Sequence, residues 1–227
     1  MNERIIELND VCFAYDDVVA LKHVNLTINR GETVALQGSN GCGKSTLLKL
    51  LNGLVFADVG TYCFEGDLIT EKAMNNHGFA KSFHRKVGFV FQNPDVQLFC
   101  GSVREEIQFG PQQMGLSQDE VSARTDDVVR LLNIEHLQDR APYNLSGGEK
   151  RKVALAAVLS LNPEVLVLDE PLAGLDKSTQ DWLLDFLQQL QEAGKTIILS
   201  THDDELAHLL GDRIVYITDE HTVDYVL

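Results

Sequence analysis

Gly38-Ser39-Asn40-Gly41-Cys42-Gly43-Lys44-Ser45-Thr46 has the spacing G-x-x-x-x-G-K-[ST], a cradle for polyphosphate. Glycines let the backbone wrap an anion with its N–H groups turned inward. A helix opening near Thr46 adds the positive end of its dipole. In this pattern Lys44 reaches the terminal phosphates and Ser45 offers an oxygen to Mg²⁺. Further residues can act on the same phosphates. Asp169-Glu170-Pro171 closes the apolar run Val165-Leu166-Val167-Leu168, and ligands of open α/β sheets sit at such carboxyl ends. There Asp169 would support Mg²⁺ and Glu170 would polarise water as a general base, a contribution of about 10²–10⁴-fold. His202 follows Thr196-Ile197-Ile198-Leu199-Ser200, where a γ-phosphate can be sensed. In Leu145-Ser146-Gly147-Gly148-Glu149, Ser146 and Glu149 have capping-box spacing. Two glycines in a first helical turn cost roughly 1 kcal/mol each against alanine, and close approach of an anion to the exposed N–H groups would account for them.

The elements that position these residues follow from patterning. Ile5–Leu8, Val11–Tyr15 and Ala20–Ile28 alternate like strands and predict an antiparallel β region before the nucleotide core. Tyr15 ends one of them, where its ring can stack on a base or pack within the strand. Thr33–Gln37 predicts a short buried strand, Thr46–Leu51 a helix stopped by Asn52-Gly53, and Gly60–Asp67 a strand and turn. Lys72–Arg85 is polar and reads as a solvated loop, its His77 and His84 lacking a third metal ligand. Val87–Phe91 predicts a buried strand ending at the turn Gln92-Asn93-Pro94. Residues 94–150 look helical, with a short helix at Ser102–Ile107 and a capped one after Ser117. The stripe Trp182, Leu183, Phe186, Leu187 and Leu190 on a helix over Lys177–Gln191 belongs to the core. Arg213–Ile217 and Val223–Leu227 predict a hairpin.

Composition bounds the function. The chain has 227 residues, enough for one domain with a sizeable core. A net charge of -15 argues against a nucleic-acid binder. No apolar run can span a bilayer, and Met1–Arg4 leads straight into a strand, so no signal peptide is expected. Cys12, Cys42, Cys63 and Cys100 show no paired spacing, which fits a reduced compartment. Cys42, in the phosphate loop, is expected to be open to alkylation or oxidation.

Together these motifs resemble the nucleotide-binding subunit of an ABC transporter, and the likeness covers nearly the whole chain. Leu145-Ser146-Gly147-Gly148 carries most of it, in the order Tyr15, Lys44, Gln92, Ser146, Asp169-Glu170, Asp176 and His202. The resemblance implies an α/β P-loop NTPase core with a mainly parallel sheet, an N-terminal antiparallel β region and a helical subdomain. Residues 1–227 would form one nucleotide-binding domain, with about 94–150 inserted as the helical part. ATP and Mg²⁺ would be its cofactors. The family implies that Tyr15 stacks on adenine. Gly38, Ser39, Asn40, Gly41, Cys42, Gly43, Lys44, Ser45 and Thr46 bind the phosphates. Ser45, Gln92 and Asp169 serve Mg²⁺, Glu170 activates water, and His202 contacts the γ-phosphate. Ser146, Gly147 and Gly148 touch ATP held by a second ATPase subunit, arranged head-to-tail, and Ala173–Asp176 crosses between the two.

Gln92-Asn93-Pro94-Asp95-Val96-Gln97-Leu98-Phe99, Phe109-Gly110-Pro111 and Leu145–Lys152 look like the energy-coupling-factor importers, which take up cobalt, nickel, biotin and other vitamins. That resemblance implies a transmembrane coupling protein and a substrate-binding membrane protein as partners, and a peripheral place on the cytoplasmic face of the cell membrane. Leu172 departs from the Thr often found there, and the chain ends soon after the core. The alternatives are another ABC transporter, a non-transport ABC ATPase acting on nucleic acid or ribosomes, and a binding module without turnover.

Overall fold

The computed structural model describes residues 3–226; Met1, Asn2 and the predicted strand end Leu227 lie outside the described residues. In chain order the elements begin with β1 (Arg4–Tyr15), β2 (Val18–Asn29), β3 (Thr33–Gln37), α1 (Lys44–Leu51), β4 (Val59–Phe64) and β5 (Asp67–Leu68). Then come α2 (Glu71–Met74), α3 (His77–Lys86), β6 (Val87–Val90), α4 (Val103–Gln113), α5 (Gln118–Leu131) and α6 (Gly147–Leu159). β7 (Val165–Leu168), α7 (Lys177–Glu192), β8 (Thr196–Ser200), α8 (Asp204–Leu210), β9 (Arg213–Ile217) and β10 (Val223–Val226) complete the chain.

Two sheets form. One has the order β10-β9-β3-β8-β7-β6. Its strands pair in parallel except β10, which closes the edge as the predicted hairpin with β9. The other is antiparallel, in the order β2-β1-β4-β5. β7 and β8 are buried along their full length, as continuous apolar runs require when both faces of a parallel sheet are covered. One core cluster joins the antiparallel sheet, α1 and one face of the parallel sheet; a second fills the other face against α4 to α8. Arg30 bonds to Glu3, Glu65 and Glu164, tying the end of β2 to the turn after β4 and the start of β7. The bonds to Glu65 and Glu164 raise the pKa of its guanidinium.

Several expectations are corrected. The two N-terminal strand segments are one strand, β1, which crosses Asn9-Asp10 by irregular register, with Asp10 at φ 53°. Lys72–Arg85 is not a loop but the helices α2 and α3. The side chains of Thr70 and Asn76 cap them, and Phe83 is their buried anchor. Burial lowers the pKa of His84, and no cluster fit for a metal exists among the described residues. The helix predicted over Ser102–Ile107 runs on to Gln113, with Pro111 in its last turn. Trp182 is half-buried at the rim of the core, stacked on Phe186 with the Lys152 ammonium 4.3 Å from its ring centre. α8 has no counterpart among the predicted elements. No helix among the described residues is long and apolar enough to cross a membrane.

Leu199 is fully buried in β8, and Leu209 on α8 is 53% exposed. In urea titrations Leu199→Ala should lower the unfolding free energy by about 2–5 kcal/mol. Leu209→Ala should change it by about 0.5 kcal/mol or less. Equal effects would show that stability does not reside in this sheet.

Candidate functional site

β3 delivers the chain to the phosphate loop and α1 takes it away. Two glycines there are dictated by contact. A Cβ on Gly38 would lie 2.3 Å from the Ile217 carbonyl oxygen, and one on Gly43 would lie 2.3 Å from that of Ala20. Gly43 also caps α1 in a left-handed conformation, φ 116°. Lys44 is buried, and its ammonium donates to the carbonyls of Gly38 at 2.7 Å and Ser39 at 2.9 Å. The loop therefore holds its lysine at its own centre. Cys42, expected to be accessible, is buried at 2% exposure. Its side chain turns inward, where its sulfur would sit 2.7 Å from a Cβ on Gly38.

The two carboxylates after β7 have different environments. Asp169 is buried and accepts the Ser200 hydroxyl at 2.6 Å. The Glu170 N–H donates to the same hydroxyl at 2.9 Å. Glu170 has φ 44°, a strained backbone for a residue with a side chain. Its carboxylate accepts from His202 Nδ1 at 2.9 Å. The Glu170 side chain is 13% exposed and that of His202 69%, so the pair runs from the sheet edge out to solvent.

Gln92 lies on the neighbouring strand end, after β6. A buried arginine fixes its backbone. Arg151 Nη1 donates to the Phe91 carbonyl and Nη2 to the Gln92 carbonyl, both at 2.6 Å. Arg151 is 2% exposed, its Nε has no hydrogen-bond partner among the described residues, and burial lowers its pKa while nearby Asp169 opposes that shift. Gln97 adds a second tie, accepting the Phe91 N–H at 3.2 Å and donating to the Ala154 carbonyl at 3.3 Å. The Gln92 side chain itself is exposed.

These ends surround a cavity of 570 Å³ walled by Tyr15, Val18 to Ala20, Asn40, Gly41, Gly43 to Thr46, Gln92, Glu170, His202 and His221. Tyr15 stands at its lip, 42% exposed and edge-on to Phe13 at 4.8 Å. Asp169, Gly38, Ser39 and Cys42 stand outside this wall. So do Ser146, Gly147, Gly148 and Asp176. Ser146 and Glu149 make the predicted capping box. Gly148 packs so closely that a Cβ would meet Thr179 Oγ1 at 2.8 Å, whereas a Cβ on Gly147 would meet nothing within 4 Å. Packing thus accounts for one glycine of the pair and leaves the other unexplained within this chain. Asp176 caps α7, accepting from Ser178 and Thr179, and these bonds hold its carboxyl well below the usual range.

A family model described as "ABC transporter" matches residues 21–173. The chain belongs to the ABC transporter family of ATP-binding proteins. It is 47% identical over 220 residues to the nickel import ATP-binding protein LarO of Lactiplantibacillus plantarum, covering 97% of this chain and 91% of that one. Among solved structures it is similar to cbiO1 of Clostridium perfringens, described as part of the ABC transporter complex cbiONQ. The TM-score is 0.85 and the identity 37%, over 98% of this chain and 87% of that one. It is also similar to the ATP-binding cassette MJ0796, solved as a dimer in a post-hydrolysis state with ADP and Pi. There the TM-score is 0.87 and the identity 28%, over 98% of this chain and 99% of that one. The protein is an Mg²⁺-dependent ATPase of this family, and its α/β fold is the one the sequence motifs imply.

Sequence patterning missed Ser200, Arg151 and His221. Ser200 is the hydroxyl that ends an otherwise apolar strand run. Arg151 sits four residues before Leu155 on the buried face of α6, which is a readable sign of an arginine turned inward. His221 sits in a turn with no local signal.

In the native protein iodoacetamide should label Cys42 far more slowly than the half-buried Cys12 and Cys63, read by mass-spectrometric peptide mapping. Rapid labelling of Cys42 would contradict its inward placement.

Proposed function

We propose that this chain is the ATP-hydrolysing motor subunit of an importer of the energy-coupling-factor type, acting as one half of a head-to-tail pair of ATPase subunits. The observation that carries this reading is that Ser146, Gly147 and Gly148 lie off the cavity wall, with open space at Gly147. A helix N-terminus with free N–H groups and no Cβ in the way is suited to an anion, and the chain's own phosphate loop does not present one to it. A second subunit would. Each nucleotide then bridges two chains, so binding closes the pair and hydrolysis releases it.

In this reading the adenine stacks on Tyr15, and residues Gly38 to Thr46 with Lys44 hold the phosphates. The donors available to Mg²⁺ are oxygens: the Ser45 hydroxyl and Gln92 amide on the wall, with Asp169 behind it. One carboxylate, neutral oxygens and substrate phosphates suit this hard cation. When bound it would neutralise developing phosphate charge. Glu170 takes the proton of the attacking water, and His202 orients its carboxylate and faces the γ-phosphate. Ala173 to Asp176 lies at the contact between the two subunits. Residues 1–227 act as a single domain, in which about 94–150 forms a helical subdomain carrying Ser146 to Gly148.

The names of similar proteins, a nickel import ATPase and part of a cbiONQ complex, support an importer of a transition-metal ion such as nickel or cobalt; a vitamin is the second choice. The partners would be a transmembrane coupling protein and a substrate-binding membrane protein, with the ATPase on the cytoplasmic face of the membrane. Val96 and Phe99 are 68% and 66% exposed just beyond Gln92, and Phe99 stands edge-on to Phe109 at 4.9 Å. Such apolar exposure suits a protein contact. The acidic balance of -15 supports the absence of a nucleic-acid partner.

Glu170→Gln should keep ATP binding, lower turnover by about 10²–10⁴-fold, and produce an ATP-dependent dimer in light scattering. Wild-type turnover would remove Glu170 as the base, and a monomer at saturating ATP would remove the paired site. Phe99→Asp should leave soluble ATPase activity within about twofold and abolish co-purification with the membrane partner. Undiminished co-purification would move the docking surface elsewhere.

A further inference from the structure

The turn between β9 and β10 grips the phosphate loop from the side away from β8 and β7. Asp219 accepts the Ser39 hydroxyl. The Ile217 carbonyl lies where a Cβ on Gly38 would be. His221 Nδ1 is 2.9 Å from the Cys42 carbonyl oxygen, and the His221 carbonyl accepts the Lys22 N–H at 2.8 Å. His221 has φ 64°, a conformation that is strained for a residue with a side chain and that glycine adopts freely. The backbone bonds of the turn need no imidazole. The imidazole nevertheless lines the nucleotide cavity.

Its chemistry there is determined. A carbonyl can only accept, so Nδ1 carries the hydrogen and the neutral ring leaves Nε2 as an acceptor. Its place is also determined. Lys22 is on β2, two residues beyond Ala20, and Cys42 is in the phosphate loop, so His221 sits at the seam between them. Tyr15, Val18 to Ala20 and Lys44 line the same cavity as His221. With the base on Tyr15 and the phosphates on Lys44, the group spanning the seam is the sugar, whose hydroxyls are donors.

We propose that His221 is a specificity-determining contact for the nucleotide, its Nε2 accepting a hydrogen bond from a ribose hydroxyl. This rests on the placement of the base against Tyr15, and the experiment separates the two. Calorimetry would give Kd values for ATP, 2′-deoxy-ATP and 3′-deoxy-ATP on the wild type, His221→Gly and Tyr15→Ala. Glycine suits the left-handed backbone, so His221→Gly deletes the side chain without endangering the fold, and its Tm should hold or rise. The wild type should bind ATP about fivefold more tightly than at least one deoxy analogue. His221→Gly should bind all three alike, at the weaker Kd. Tyr15→Ala should weaken all three while keeping the wild-type ratio; if it weakens none, the base placement fails whatever His221 does. A wild type that does not discriminate, a His221→Gly variant that still does, or one that weakens all three by one factor would overturn the sugar contact.

Discussion

Parallel pairing of β6, β7, β8 and β3 is the constraint on which the rest depends. Strands that run the same way release their loops at the same edge, and ligands of such sheets collect there. Gln92, Asp169-Glu170, Thr201-His202 and the phosphate loop are far apart in sequence and leave the sheet at the same edge because of it. The fully buried strands fix that edge, since neither β7 nor β8 has a solvent-facing side that could tolerate slippage. Ser200 refines the arrangement. One hydroxyl donates to Asp169 and accepts from the Glu170 backbone, so the last residue of β8 dictates how the chain leaves β7. That bond helps to hold Glu170 in a backbone conformation it would not choose alone.

The parts of the site legible in the sequence were those whose chemistry demands rare residues at fixed spacing. Gly38 and Gly43 are glycines because carbonyls of Ile217 and Ala20 leave no room for anything else. Four apolar residues before two acids announced β7 and its carboxylates. Helices with strong caps, at Ser117 and Ser146, were legible as well. What failed were elements too short for periodicity to show. α2 and α3 fasten to the core chiefly through Phe83, and α8 through Leu206, Ala207 and Leu210 within less than two turns. Cys42 failed for a different reason: position in an exposed loop says nothing about which way a side chain turns.

The cavity and the signature helix stand in an instructive relation. On the phosphate-loop side the charged groups are committed to neighbours: Lys44 to carbonyls, Asp169 to Ser200, Glu170 to His202. At Ser146 to Gly148 the chain satisfies its own helix start by a capping box and leaves Gly147 facing open space. One side is preorganised and the other is presented. The local sequence offers one account for both glycines, an anion at the helix start, whereas in the structure Gly148 also answers to Thr179 and Gly147 meets nothing within 4 Å among the described residues.

Arg151 gives the molecule a hinge pin. Its guanidinium is anchored in α6 and grips two successive main-chain carbonyls after β6, so the helix and the strand end cannot shift independently. A small roll of α6 about its axis would be converted into a slide of the backbone at Gln92, much as a crank turns rotation into travel. Because the grip is on main chain, the identity of the side chain at position 92 could change without loosening the linkage. The linkage and the side chain at its end are separately mutable.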